Sequence, residues 1–209
     1  MGSKERREKE RTETRERILE AARELFVDKG VEAVTMREIA RRIDYTPTAI
    51  YHHFQDKDAL ITELCGRNFL SLARLFLKIG RIEDPVERLR RIGVAYLDFA
   101  LEHPGEYRFM FLTPKPVIDP TAAGVTVNNP EEDAYAFLRQ AIAEGIAAGR
   151  YLPDYHDADL VAQIMWGGVH GIAALHIIKG HDAWVEWKDA RETGKLLIDG
   201  LIRGATRDA

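Results

Sequence analysis

An all-α fold is predicted for this 209-residue chain by three observations. Apolar residues recur at three- and four-residue spacing along most of its length. The segments patterned in this way open on Thr, Asp or Asn caps, often with proline at the first helical position, and several close on glycine. No stretch shows the two-residue alternation of a strand. The expected architecture is an N-terminal three-helix unit with a helix-turn-helix, followed by a larger helical domain, about nine helices in all.

Residues 3–17 are rich in Lys, Arg and Glu and contain no apolar side chain. Such a run is either a solvated lead-in to a helix or a flexible arm for a DNA groove, and its glutamates weigh against the arm. Ile18, Ala22, Leu25 and Phe26 then share one helical face, and Lys29-Gly30 ends that helix. Thr35-Met36-Arg37-Glu38 reads as a capping box, with Val34 and Ile39 at the spacing of a hydrophobic staple. Met36, Ala40 and Ile43 form the buried stripe of this second helix. Asp44-Tyr45 makes a tight turn. Thr46 caps a third helix with Pro47 at its first position, expected to run over about residues 47–54.

Asp56 caps a fourth helix, carrying Leu60, Leu64, Leu72, Leu75 and Phe76 and expected to exceed roughly 20 residues. Asp84-Pro85-Val86-Glu87, His103-Pro104-Gly105-Glu106 and Asn129-Pro130-Glu131-Glu132 each read as a helix start. Asp157 caps a long helix through Lys179, closed by Gly180. A last helix is expected over residues 187–203, closed by Gly204. Residues 113–129, rich in Pro, Gly and Thr, read as a loop.

Composition narrows the function classes. The formal net charge of −4 gives no whole-chain signature for nucleic acid, so a DNA reading must rest on local geometry. A single cysteine, Cys65, excludes an internal disulfide. With the charged stretch after Met1-Gly2-Ser3, it fits a reducing cytoplasm. The most apolar stretch, residues 164–178, is broken by Trp166, His170, His176 and three glycines. It falls short of the roughly 20 residues that a membrane span needs, and no membrane partner is expected.

An enzyme is not expected either. No histidine pair with a third ligand has metal spacing, no glycine-rich phosphate loop follows a strand, and Cys65 has a bland helical setting. His170 and His176 are too far apart in helical register to be neighbours on one face. No metal and no cofactor are expected. A protein- or membrane-binding module using Trp184 and Trp187 is a third alternative, and packing at a dimer edge accounts for that pair better.

Two short helices at a tight turn followed by a long one is a helix-turn-helix arrangement. The third helix sharpens it. Ile50 and Phe54 are its inner, apolar positions. Thr46, Pro47, Thr48, Tyr51 and His52 lie outside, short or flat enough to approach base edges and phosphates. A threonine methyl can meet a thymine methyl, and Tyr51 and His52 can donate to phosphate oxygens. His52 and His53 cannot both face DNA, and His53 is expected to be half-buried beside Phe54. Tyr51 as plain packing, and Arg41 and Arg42 as solvated charges, are the bland alternatives.

The runs Thr35-Met36-Arg37-Glu38-Ile39-Ala40 and Tyr51-His52-His53-Phe54-Gln55-Asp56-Lys57-Asp58-Ala59-Leu60 resemble the DNA-binding domain of the tetracycline-repressor-like (TetR) family over residues 12–62. The resemblance implies a DNA-binding domain over residues 1–62 and a helical effector-binding and dimerisation domain over residues 63–209. It implies that Thr35 and Arg37 touch the DNA backbone, and that Thr46, Pro47, Thr48 and His52 face the major groove. Tyr51 and Lys57 would bind phosphate, Lys57 at a helix start whose dipole also favours an anion. The family often has glycine or alanine where this chain has Thr48, which either reads a base or holds the helix farther out. The implied partners are double-stranded DNA, a second copy of the chain and a small-molecule effector.

Trp166-Gly167-Gly168-Val169-His170-Gly171 and the run from His103 to Phe111 resemble a tryptophan–histidine–glycine C-terminal subgroup of that family. The resemblance implies a dimer interface on the last two long helices, with small residues Gly167, Gly168, Gly171 and Ala174 and an apolar stripe of Leu196, Leu197 and Leu201. A stripe of this kind serves a core as readily as an interface. It also implies an effector pocket, for which Tyr96, Phe99, Tyr107, Met110, Tyr135, Met165, Trp166 and His170 are candidates. Aromatic residues at helical spacing serve ordinary core packing too. His170 is expected to be a buried histidine bonded to a backbone carbonyl.

Overall fold

The computed structural model describes residues 2–114 and 119–207. Within them lie nine α-helices and one π-helical turn, with no strand beyond an isolated bridge between Tyr151 and Thr206. The helices are α1 Ser3–Lys29, α2 Met36–Arg42, α3 Pro47–Tyr51, α4 Lys57–Ile79, α5 Pro85–Glu102, α6 Pro104–Tyr107, α7 Ala134–Ala147, α8 Ala158–Lys179 and α9 Ala190–Ala205. The π-turn, Arg108–Leu112, follows α6 directly. The chain forms two compact units: Met1–Arg67 with Arg108–Gly124, and Asn68–Tyr107 with Val125–Ala209.

In the first unit the charged lead-in is helical, continuous with the apolar part of α1. Exposed pairs at i,i+4 such as Arg6–Glu10 support it locally. Ile18, Ala22 and Phe26 are buried, and α1 ends at Gly30, whose φ of 80° suits a residue without Cβ. Thr35 caps α2, its hydroxyl accepting the Glu38 N–H at 3.2 Å. The Glu38 carboxylate itself turns to the Lys29 ammonium. Asp44 turns the chain with φ 59°, a conformation its short polar side chain tolerates.

Thr46 caps α3 by accepting the Ala49 N–H at 3.3 Å. This helix is shorter than the expected run to residue 54, closing at Tyr51. The N–H groups of His53 and Phe54 both converge on the Ile50 carbonyl, and that tightened turn buries Phe54. Asp56 then accepts the Ala59 N–H at 2.7 Å at the start of α4.

In the second unit α5 is the central helix, packed against α7, α8 and α9. Asp84, Asp133, Asp157 and Asp189 cap α5, α7, α8 and α9 by accepting first-turn N–H groups. Three expected boundaries are corrected. The Asn129-Pro130 run forms only a turn, and the helix starts at Ala134, where the Asp133 carboxylate takes the N–H groups of Tyr135 and Ala136. The last helix starts at Ala190 rather than near Trp187, because Asp189 is the cap. Its end passes through Gly204 to Ala205, with the Thr206 hydroxyl donating to the Ile202 carbonyl at 2.8 Å.

Part of the expected loop, residues 115–118, lies outside the described residues. Ala123 and Val125 within it are buried, each at an apolar position of an otherwise exposed turn.

Candidate nucleic-acid interface and effector cluster

The apolar side of α2 and α3 decides what the other side presents. Val34, Ile39 and Ile50 are fully buried, which fixes the rotation of both helices. Thr35, Arg37, Thr46, Thr48, Tyr51 and His52 are then exposed and Pro47 half-exposed. Tyr51 is 52% exposed. His53 is half-buried, as its place beside Phe54 requires, and its Nδ1 is buried with no hydrogen-bond partner. Burial, reinforced by Arg11 and Arg15, holds its imidazole below the ordinary histidine value of 6.5.

Lys57 differs from the rest of the predicted set. Its ammonium donates to the carbonyl oxygens of Val31 at 3.0 Å and Val34 at 3.1 Å, so it ties the start of α4 to the chain before α2. An ammonium has three donors, and two are engaged.

Sequence reasoning missed Arg15 and Arg17, which were grouped with the solvated lead-in. The Arg15 guanidinium lies 4.0 Å over the Phe54 ring, donates to the His53 carbonyl and pairs with Glu63. Arg17 donates to the Ile43 carbonyl at 3.2 Å and lies over the Tyr45 ring. Both therefore hold α1 against the two ends of α3. A signal for Arg15 was available: it precedes Ile18 by three residues and so shares the buried stripe.

The second unit contains a polar aromatic cluster. The hydroxyls of Tyr96 and Tyr107 lie 2.8 and 2.7 Å from His170 Nδ1. The Tyr107 hydroxyl also reaches the His170 carbonyl at 3.3 Å, and Trp166 Nε1 donates to the Tyr96 hydroxyl at 3.1 Å. At Nδ1 the His170 ring thus has two phenols as partners. Burial pushes Tyr96 up to about 12, raises Tyr107 further and lowers His170. In each case burial favours the neutral form.

Tyr135 joins at the edge, its ring 6.1 Å from Trp166 and its hydroxyl donating to Asp159. Of the remaining candidates, Phe99 lies against His103 and Met165 is buried on α8. Met110 belongs to the first unit, in the π-turn.

The predicted dimer residues divide. A Cβ on Gly168 would lie 2.8 Å from Leu201 Cδ1 and 3.5 Å from Leu197 Cδ2, so these three residues join α8 to α9 within one chain. Gly167 and Gly171 have open space, and Leu196 is 63% exposed. Leu160, Ile164, Leu175 and Ile178 are exposed on α8 at helical spacing with those two glycines. By length and composition α8 is also the one described helix apolar enough to cross a membrane.

Residues 18–64 match the family model of bacterial regulatory proteins of the tetR family. Residues 89–201, more than half of the chain, match that of the tetracyclin repressor-like C-terminal domain. This second description is broader than the tryptophan–histidine–glycine subgroup, which stands on resemblance alone.

The transcriptional repressor BepR of Brucella suis is 29% identical over 186 residues, covering 83% of this chain and 86% of that protein. The repressor KstR2 of Mycolicibacterium smegmatis is 28% identical over 151 residues, 70% of this chain and 71% of the relative. In fold the chain is similar to NalD of Pseudomonas aeruginosa, described as the secondary repressor of a multidrug efflux pump. The TM-score is 0.73, at 21% identity, over 96% of this chain and all (100%) of that one.

Proposed function

Because the chain belongs to the tetR family of bacterial regulatory proteins, we propose that it is a cytoplasmic, homodimeric repressor that reads a pseudo-palindromic operator and releases it on binding a small molecule. The observation that carries this reading is the outer face of α3. Thr48 and Tyr51 of α3 and its caps Thr46 and His52 are exposed while Ile50 is fully buried. A rigid helix with short polar side chains on its free side suits a major groove.

In this reading residues 1–62 bind DNA and residues 63–209 bind effector and partner. Thr35 and Arg37 contact the backbone from α2. Thr46, Pro47, Thr48 and His52 face the bases, and Tyr51 donates to a phosphate. Lys57 has one donor left for a phosphate, its main work being to hold α4 to the α2 approach.

The apolar side of α8, with Gly167 and Gly171, and Leu196 on α9, meet their copies across a two-fold axis. Burial of that stripe against a second chain accounts for its exposure better than a membrane does. The effector lodges at Tyr96, Tyr107, Tyr135, Trp166 and His170, with Phe99 and Met165 as further candidates; Met110, in the first unit, is not part of this cluster. Its partners there are neutral donors and acceptors, which favours an uncharged, apolar or aromatic molecule. No catalysis is assigned.

Selection of bound sequences from random duplex DNA, at stated salt, tests the proposal. Enrichment of a palindrome supports it. A protein that enriches no sequence at low salt, with its dimeric state verified, is not a sequence-reading repressor in its free form.

A further inference from the structure

We infer that the charged lead-in of α1 is a DNA contact in its own right, with Lys4, Arg7 and Arg11 forming a rigid basic rail along the phosphates that flank the operator. The inference rests on the DNA-binding reading above and assigns three further residues to it. Residues 3–17 hold seven basic and five acidic side chains. The helix separates them. At about 100° per residue, Lys4, Arg7, Arg11 and Arg15 fall within an arc of about 80°, and all five glutamates fall outside it. Further along α1 the same arc carries the buried residues Ile18, Ala22 and Leu25. The basic stripe therefore continues, past the core, the side of α1 that faces the rest of the DNA-binding unit.

Away from the stripe the charges are matched. Arg6 pairs with Glu10 at 3.7 Å, Lys9 with Glu13 at 3.8 Å, and Arg67 reaches back to Glu16. Glu5 accepts the Gly2 N–H at 2.8 Å. Among the described residues no carboxylate pairs with Lys4, Arg7 or Arg11, and all three are exposed.

The stripe leaves the unit beside α3. Arg15 donates to the His53 carbonyl, and the Thr14 hydroxyl lies 3.5 Å from that of Tyr45, so α1 passes both ends of α3 at residues 14–15. Arg11, one turn earlier, is close enough to act on the His53 imidazole. Residues 3–13 then add about 16 Å of helix beyond the crossing. A duplex seated on Thr48, Tyr51 and His52 runs beside this rod, which offers a cation to a phosphate at each turn. Residues 3–17 have no apolar side chain to bury in a lipid surface, so charge alone recognises the partner.

The test is the salt dependence of operator binding by the full-length protein, with the operator from the selection above carried in duplexes with and without flanking sequence. Combined Lys4→Gln, Arg7→Gln and Arg11→Gln should lower the slope of log K against log salt by about 2–3 per bound chain. The selected palindrome should stay the same, since phosphate contacts carry no sequence. Trimming the flanks should weaken the wild type and leave this triple variant unaffected. Combined Arg6→Gln and Lys9→Gln, on the paired side, should leave the slope within about 0.5 of wild type. Glutamine keeps helix propensity, and circular dichroism checks it. Should the triple variant lose helix, Arg11→Gln alone should lower the slope by about 1. A wild-type slope in the folded variant, or a wild type indifferent to flank length, overturns the rail and leaves the repressor reading intact. So does an equal fall in the paired-side variant, which makes the effect one of net charge. A protein that binds no operator removes both.

Discussion

The ammonium of Lys57 donates to the carbonyl oxygen of Val34 at 3.1 Å, and with its second bond to Val31 it joins the first turn of α4 to the approach of α2. Its first role is therefore architectural. Lys57→Met leaves two carbonyls without this partner and should lower stability by about 1–3 kcal/mol in urea unfolding. DNA affinity should fall to the same degree on every sequence. Unchanged stability with weakened DNA binding would make Lys57 a phosphate contact only.

Thr48 and Tyr51 lie on the same exposed side of α3 and should behave differently. Tyr51→Phe removes one neutral hydroxyl and should weaken binding uniformly, without altering the salt slope. Arg37→Ala should both weaken binding and reduce that slope by about 1. Thr48→Ala should change the base preferred at its position, with a discrimination of about 1–3 kcal/mol at stake. Random-sequence selection in parallel with wild type reads this, and an identical consensus would remove Thr48 from base readout.

Neighbouring glycines on α8 predict opposite outcomes. Gly171 has open space around it, so Gly171→Glu should leave the fold intact and place a charge in the proposed dimer face. Sedimentation should show a folded monomer. Gly168 faces Leu201, so Gly168→Ala must push that side chain aside and should lower the melting temperature. A dimeric Gly171→Glu protein would place the interface elsewhere.

His170 should make stability depend on pH. Burial holds its folded-state pKa below the ordinary 6.5, so the unfolded chain takes up the proton first. Its contribution is complete above about 6.5 and is lost as pH falls below that value, until the lowered folded pKa is reached. His53 shifts in the same direction and adds a similar slope. His170→Gln should therefore flatten, but not abolish, the loss of stability between about pH 7.5 and about pH 5.5. An unchanged slope in unfolding curves would show that His170 titrates alike in both states.

Much of the DNA-binding unit was legible because its signals are local. The Thr35 and Thr46 caps, the glycine end of α1 and the turn at Asp44 each depend on residues within one turn of one another. The exposed face of α3 then followed from periodicity. Arg15 was not recognised, because it sits in a charged run; its spacing from Ile18 put it on the buried stripe, and only the fold shows its aromatic partner, Phe54.

The same limit applied at Asp133. Asn129-Pro130 and Asp133 both offer start grammar, and only the packing of Phe137 and Leu138 selects the later one. Three small residues within five positions could not be sorted from the sequence, since their direction depends on where α9 lies.

The sequence by itself determined the helical class, most of the caps and the composition of the exposed face of α3, all set by hydrogen bonds and burial patterns within a few residues. Tertiary structure alone decided that Lys57 faces two carbonyls, that Gly168 turns inward while Gly171 does not, and that Tyr107 and Tyr96 converge on His170. Those relations join residues tens of positions apart. Their free energy exists only once distant helices have packed and excluded water from the groups between them.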